Sequence, residues 1–131
     1  MTNSPLVYVV EDDVSVMKGL ARLLRAWSYD VRLCTSAQEF LDGPGSREAG
    51  CVILDVHMPG LSGLDLQQAL QQRGSRVPVV FVTGHGDAAA QLDALDNGAV
   101  AFLKKPFTDQ ELLAAIARAL GPAPAVFSGP E

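Results

Sequence analysis

Four short apolar runs in this chain each stop at an acidic, hydroxyl or lysine residue, and that pattern restricts its fold more than any other feature. Leu6-Val7-Tyr8-Val9-Val10 leads into Glu11, Asp12 and Asp13, and Cys51-Val52-Ile53-Leu54 into Asp55. Val79-Val80-Phe81-Val82 ends at Thr83, and Val100-Ala101-Phe102-Leu103 leads through Lys104 to Lys105. Short β-branched runs of this kind, separated by helical stretches, read as parallel strands buried on both faces. Parallel strands bring all four terminal groups to one edge of the sheet. In open α/β sheets that carboxyl edge is where ligands bind.

Strands are expected over about 6–10, 30–34, 51–55, 78–83 and 100–103, alternating with five helices. The first helix carries Val14, Met17, Leu20, Ala21, Leu24 and Trp27 at three- and four-residue spacing, with Asp13 or Ser15 to cap it. The second opens on Ser36 and Glu39 at capping-box spacing and stops at Gly43-Pro44-Gly45. The third runs from about Gly63 to Gln72. The fourth, about Asp87 to Asn97, is the weakest, with only Leu92 and Leu95 as large apolar groups. The fifth starts at Thr108, with Glu111 three residues on, and turns Leu112, Leu113, Ile116 and Leu120 inward. Five strand–helix units with short loops make a doubly wound α/β domain over residues 1–121. Residues 122–131 have the Pro/Gly-rich composition of a linker or tail.

Composition narrows the function classes. At 131 residues the chain fits one domain that buries roughly two thirds of its unfolded surface. A net charge of -5, with no more than two basic residues adjacent, makes a poor nucleic-acid surface. Cys34 and Cys51 fall inside strands, lack zinc-type spacing and read as reduced core thiols. No basic leader and no membrane-length apolar run are visible, so a soluble cytoplasmic protein is expected.

The strand-end groups define a chemistry. Carboxylates gathered at adjoining strand ends repel by roughly 4 kcal/mol per close pair at intermediate dielectric. A cation, a lysine or protonation relieves this; Lys105 supplies one positive charge, and hard oxygen ligands with room for water suit Mg²⁺. Asp55 is the candidate nucleophile, because a carboxylate attacks phosphorus in line once its oxygens are neutralised. Lys105 would pair with one phosphoryl oxygen and Thr83 would donate its hydroxyl to another. Taken singly, Thr83 is an ordinary strand-end residue and Lys105 a solvated amine. Their joint placement at successive strand ends gives them a shared role.

Several spaced motifs then carry a family resemblance over about residues 5–120: Val-Val-Glu-Asp-Asp at 9–13, Asp55-Val-His-Met-Pro-Gly-Leu-Ser-Gly63, Thr83-Gly-His-Gly86 and Phe102-Leu-Lys-Lys-Pro-Phe107. Asp55 precedes Thr83 by 28 residues, and Thr83 precedes Lys105 by 22. The chain resembles the receiver domain of two-component response regulators, and its motif pattern is most similar to receivers that precede a LuxR-type helix-turn-helix. The resemblance implies the flavodoxin-like strand order 2-1-3-4-5, which is also that of the chemotaxis receiver. It implies Asp55 as phosphoacceptor, Asp12 as direct Mg²⁺ ligand, Glu11 as its water-mediated partner and the His57 main-chain carbonyl as a further ligand. Thr83 and Phe102 match the switch pair. Lys105, not Lys104, matches the phosphoryl-pairing lysine, with a cis bond to Pro106. His57, Gly84 and His85 stand where receivers tune phosphoryl lifetime.

The implied function is a phosphoacceptor module, phosphorylated by a histidine kinase or phosphotransfer protein. Its fourth helix, fifth strand and fifth helix (α4-β5-α5 in a five-helix count) would form the output face and pair with a second copy. It would catalyse only its own phosphorylation and dephosphorylation, would bind no nucleic acid or membrane itself, and would regulate transcription through a DNA-binding domain absent from this sequence. A complete single-domain regulator is the alternative. A Mg²⁺-dependent phosphohydrolase fits less well, because His57 stands where such enzymes carry a second acid and no substrate cap is inserted. A degenerate receiver that only binds partners is opposed by the complete acid, threonine and lysine set.

Overall fold

The computed structural model describes residues 6–84 and 88–120. Five parallel strands, β1 Leu6–Val10, β2 Asp30–Cys34, β3 Cys51–Asp55, β4 Val79–Thr83 and β5 Ala101–Lys104, form one sheet in the order β2-β1-β3-β4-β5. Six helices connect them: α1 Val14–Ala26, α2 Ala37–Asp42, α3 Gly45–Glu48, α4 Gly63–Gln72, α5 Ala88–Asp96 and α6 Asp109–Leu120. This is the doubly wound, flavodoxin-like arrangement. The expected tail at 122–131 lies outside the described residues.

Alternation along each strand divides the core in two. Val7, Val9, Cys51, Ile53, Val80 and Val82 pack beneath α1 and α6. Tyr8, Val10, Val52, Leu54, Val79 and Phe81 pack beneath α2, α4 and α5. The two thiols are free and fall on opposite faces, Cys51 on the first and Cys34 on the second. Burial pushes both up, Cys34 to about 11 and Cys51 to about 12.

Caps fix the helices. The Asp13 side chain accepts from the N–H groups of Ser15 and Val16 at the start of α1. Thr108 and Glu111 bond reciprocally before α6, and Ser62 and Asp65 make a capping box at α4. At α2 the Ser36 hydroxyl accepts from the Glu39 N–H, but the Glu39 carboxylate reaches back to the Thr35 N–H and hydroxyl. Helices α1, α4 and α5 end in Schellman turns whose left-handed residues are Ser28 (φ 71°), Gly74 (φ 76°) and Gly98 (φ 95°).

Several expectations need correction. The chain does not leave helix for good at Gly43-Pro44-Gly45: α3 adds one turn, closed by the Ala49 N–H on the Gly45 carbonyl. Gly45 lies against the Phe40 ring, where a Cβ would come within 2.4 Å of Cε1. With α3 counted, the expected fourth and fifth helices are α5 and α6. Val14 and Trp27 are exposed instead of facing the core, because α1 meets the sheet through Met17, Leu20, Ala21 and Leu24. Leu92 and Leu95 also point outward, at 64% and 41% exposure, and α5 rests on the sheet through Ala90 and Ala94. Leu120 is half-buried.

Candidate functional site

Strand register places the strand-end groups together. Val10 pairs with Leu54, and Asp55 with Val82, so Glu11, Asp12, Asp55 and Thr83 collect at the carboxyl edge around the middle of the sheet. Glu11 stays in the strand direction because its N–H donates to the Cys34 carbonyl (3.1 Å). Asp13 is taken up by its capping role, which leaves Glu11 and Asp12 to face Asp55. One carboxylate oxygen from each of Glu11, Asp12 and Asp55 lies within 4.8 Å of the others.

The three acids differ in setting. Asp12 is exposed, Asp55 half-buried, and Glu11 almost sealed at 2% exposure. The Glu11 Oε2 accepts from the Asp13 N–H (3.1 Å), but Oε1 is buried with no partner among the described residues. Burial pushes Glu11 up to about 7, and the Asp55 charge adds to this; the Asp13 N–H and the Lys105 ammonium act in the opposite direction. An oxygen removed from water, unpaired, and held beside two further carboxylates is the donor set that a hard divalent cation requires. The residues present therefore fit Mg²⁺.

The loop after Asp55 is drawn tightly around it. The His57 N–H donates to Asp55 Oδ1 (3.2 Å), and the Gly63 N–H to the Val56 carbonyl (3.0 Å). Gly63 begins α4 pressed on β3: a Cβ there would sit 2.3 Å from the Asp55 carbonyl oxygen and 2.9 Å from the Phe81 ring. That glycine keeps the helix close to the site.

Thr83 is buried at the end of β4, and its carbonyl accepts from the Lys105 N–H (2.8 Å). Lys105 is half-buried and near enough to act on the Glu11 charge, whereas Lys104 is exposed. The Lys105–Pro106 bond is cis. Phe102 is half-buried with its ring 5.9 Å from that of Phe81. His57 and Gly84 are exposed at the edge; His85 lies outside the described residues.

Sequence reasoning passed over Gln67. Its side chain is buried between α4 and α5, with Nε2 donating to the Ala94 carbonyl (3.0 Å). The signal was its position on the arc of α4 that also carries Gly63, Leu66 and Leu70, where a polar residue needs a buried partner.

Comparison with known proteins agrees with this arrangement. Residues 7–117 match the family described as "Response regulator receiver domain". The chain is 47% identical over 118 residues to the transcriptional regulatory protein TdiR of Thauera aromatica, covering 90% of this chain and 52% of that one. It is 42% identical over 119 residues to the response regulator protein TmoT of Ectopseudomonas mendocina, covering 91% and 54%. The chain thus spans about half the length of the curated relatives it matches. A crystal structure of FixJ-N superposes with a TM-score of 0.83 at 34% identity, covering 91% of this chain and 95% of that one. Among the described residues, no helix is long and apolar enough to cross a membrane.

Proposed function

Because the chain belongs to the response-regulator receiver family, we propose that it is a phosphoacceptor switch whose nucleophile is Asp55. The observation that carries this is the convergence of Glu11, Asp12 and Asp55 around an orphaned, buried carboxylate oxygen at the carboxyl edge. The donor is a histidine kinase or phosphotransfer protein. One Asp55 oxygen forms a bond to phosphorus as the bond from phosphorus to the donor nitrogen breaks; the donor ring's other nitrogen carries a proton, so the products are an acyl phosphate and a neutral imidazole. The main-chain N–H of His57 already bonds Asp55 and fixes the carboxylate plane. Glu11, Asp12, Asp55 and the main-chain carbonyl of His57 would hold Mg²⁺, which supplies charge neutralisation for the phosphoryl oxygens.

The remaining roles follow from position. Lys105 pairs its ammonium with a phosphoryl oxygen, and Thr83 is drawn to another. Thr83 is buried at the end of β4, and drawing its hydroxyl to the phosphoryl group shifts that strand end. That shift lets Phe102 turn inward. Phosphorylation thereby favours one of two arrangements of the α5-β5-α6 face. Exposed Leu92 and Leu95 on α5 supply apolar contact for a partner or a second copy. His57, Gly84 and His85 set how readily water attacks the phosphoryl group, and so the rate of self-dephosphorylation. The name of one relative, the transcriptional regulatory protein TdiR, supports a regulator of transcription of which this chain is the regulatory part, acting in the cytoplasm. A single-domain regulator acting by protein contact is the second reading.

Incubation with acetyl phosphate and Mg²⁺, followed by intact mass, tests the proposal. One added phosphoryl group is expected, lost in Asp55→Asn with the fold retained. Stoichiometric labelling of Asp55→Asn would move the nucleophile elsewhere, and steady phosphate release from other phosphoesters would make the protein a hydrolase.

A further inference from the structure

Helix α5 is held in an unusual way. Its inward face offers only Ala90 and Ala94, and its large side chains point to solvent. Alanine against a sheet provides no projecting side chain to lock a helix in place, since interlocking of large groups normally does this. Among the described residues, α4 attaches firmly to the C-terminal end. Gln67 Nε2 donates to the Ala94 carbonyl at 3.0 Å and to the Asn97 carbonyl at 3.4 Å. Gln71, one turn further along α4, also donates through Nε2 to the Asn97 carbonyl. The last carbonyls of a helix lack intrahelical partners. Here the Ala94 carbonyl accepts from both the Ala99 N–H (2.9 Å) and Gln67, so both its lone pairs are used. The Gln67 Oε1 has no partner among the described residues, so the amide is committed to its donor side.

The base of this clasp is rigid. Leu66 and Leu70 of α4 are buried at 0% and 2% exposure, and Gly63 presses on the Asp55 carbonyl. The segment after the clasp is also tied, because the Val100 N–H donates to the Val79 carbonyl at 2.8 Å before β5 begins. The other end of α5 starts five residues after Thr83.

We propose that Gln67 and Gln71 form the pivot of α5: they fix its C-terminal end to α4, so that the helix moves by swinging its N-terminal end when the end of β4 shifts. Both are positioning residues that act through α5 and touch no phosphoryl group. The moving end rests on the phosphoacceptor reading above, whereas the clasp itself does not.

Hydrogen exchange on the whole chain, before and after treatment with acetyl phosphate and Mg²⁺, tests this in the parent, Gln67→Leu and Gln71→Ala. Leucine keeps the packing at residue 67, so a merely space-filling role predicts no change. Gln71 is exposed, so its replacement leaves the core untouched if Gln67→Leu fails to fold. Loss of the clasp should speed exchange at the Asn97, Gly98 and Ala99 amides roughly fivefold before any phosphorylation, as expected for losing one or two hydrogen bonds. In the parent, phosphorylation should alter exchange over residues 88–92 and leave those three amides within about twofold. In the variants the change should spread to them. Equal changes at both ends of α5 in the parent, or variants with parent-like exchange at 97–99, would overturn the pivot. Absence of added phosphoryl mass in the parent would instead refute the phosphoacceptor reading, and the untreated samples would still decide whether the clasp exists.

Discussion

Replacing Gly63 by alanine sets two opposed effects against each other, and the structure decides between them. Alanine is a better helix former than glycine by about 0.5–1 kcal/mol, and residue 63 is the first residue of α4. Its Cβ, however, would lie 2.3 Å from the Asp55 carbonyl oxygen and 2.9 Å from the Phe81 ring. An ordinary carbon–oxygen contact needs about 1 Å more, and neither neighbour is the free end of a flexible side chain. The helix or the strand end must therefore move, at a cost of about 1–3 kcal/mol for overpacking. The clash wins, and a net loss of about 1–2 kcal/mol is expected, or roughly 4 °C in Tm per kcal/mol for a domain of this size. The displaced atom belongs to Asp55 itself. A 1 Å error in a reacting group slows chemistry by as much as about a hundredfold, so labelling by acetyl phosphate should slow as well. Urea denaturation and the rate of labelling measure the two effects. Gly19→Ala is the control: it lies within α1 with nothing within 4 Å of its Cβ, and should gain about 0.5–1 kcal/mol. A Gly63→Ala protein as stable as the parent and labelled as fast would refute the steric argument.

Three further outcomes are expected. Ser28 closes α1 with φ 71°, a conformation that favours glycine, so Ser28→Gly should raise stability by about 0.5–1 kcal/mol in denaturant melts; a loss would mean the side chain contributes more than the strain. Burial, and then the hydrogen bond to Glu48, push the Tyr8 phenol up to about 12. The fold thus favours the neutral phenol, a stabilisation present below the ordinary value of 10.0 and lost as pH rises through about 12. Tyr8→Phe should flatten the alkaline fall in stability, and an identical alkaline profile would count against it. Mg²⁺ should raise the Tm of the parent, as any ligand of the native state does. Glu11→Gln should weaken that rise while stabilising the metal-free protein, because one of three crowded charges is gone; an undiminished rise would remove Glu11 from the site.

The strands were legible because parallel strands are apolar on both faces, which marks Val7–Val10, Cys51–Leu54 and Val79–Val82 without any knowledge of partners. The acids, Thr83 and Lys105 were legible for the same reason, since a polar group ending such a run has one place to go. The unread parts depend on contacts distant in sequence. Periodicity identifies a helix face but not what lies opposite it, so Val14 and Trp27, which fit the spacing of α1, are exposed, as are Leu92 and Leu95, the large apolar groups of α5. Glu39 had the spacing for a bond to Ser36, but Thr35 offers it both an N–H and a hydroxyl. The turn of α3 exists where Gly45 fits the face of Phe40. Gln67 reads as an ordinary helix former until packing brings the Ala94 carbonyl, 27 residues away, to its amide.

The two thiols have a use that their burial creates. β1 separates β2 from β3, and Cys34 pairs with Val10 while Cys51 pairs with Val7, so the two lie two strand spacings across and three residues along the sheet, roughly 14 Å apart, and face opposite sides of it. No disulfide spans that gap. As both protons are held far more tightly than in a free thiol, oxidants and alkylating reagents find almost no thiolate in the closed molecule. Reagent uptake therefore records only excursions that open the chain. Cys34 lies on the edge strand and Cys51 on the central one, so the two uptake rates time separate events: the peeling of β2 and the parting of the whole sheet. The chain carries two clocks of its own, one for partial opening and one for complete opening, readable by mass without any added label.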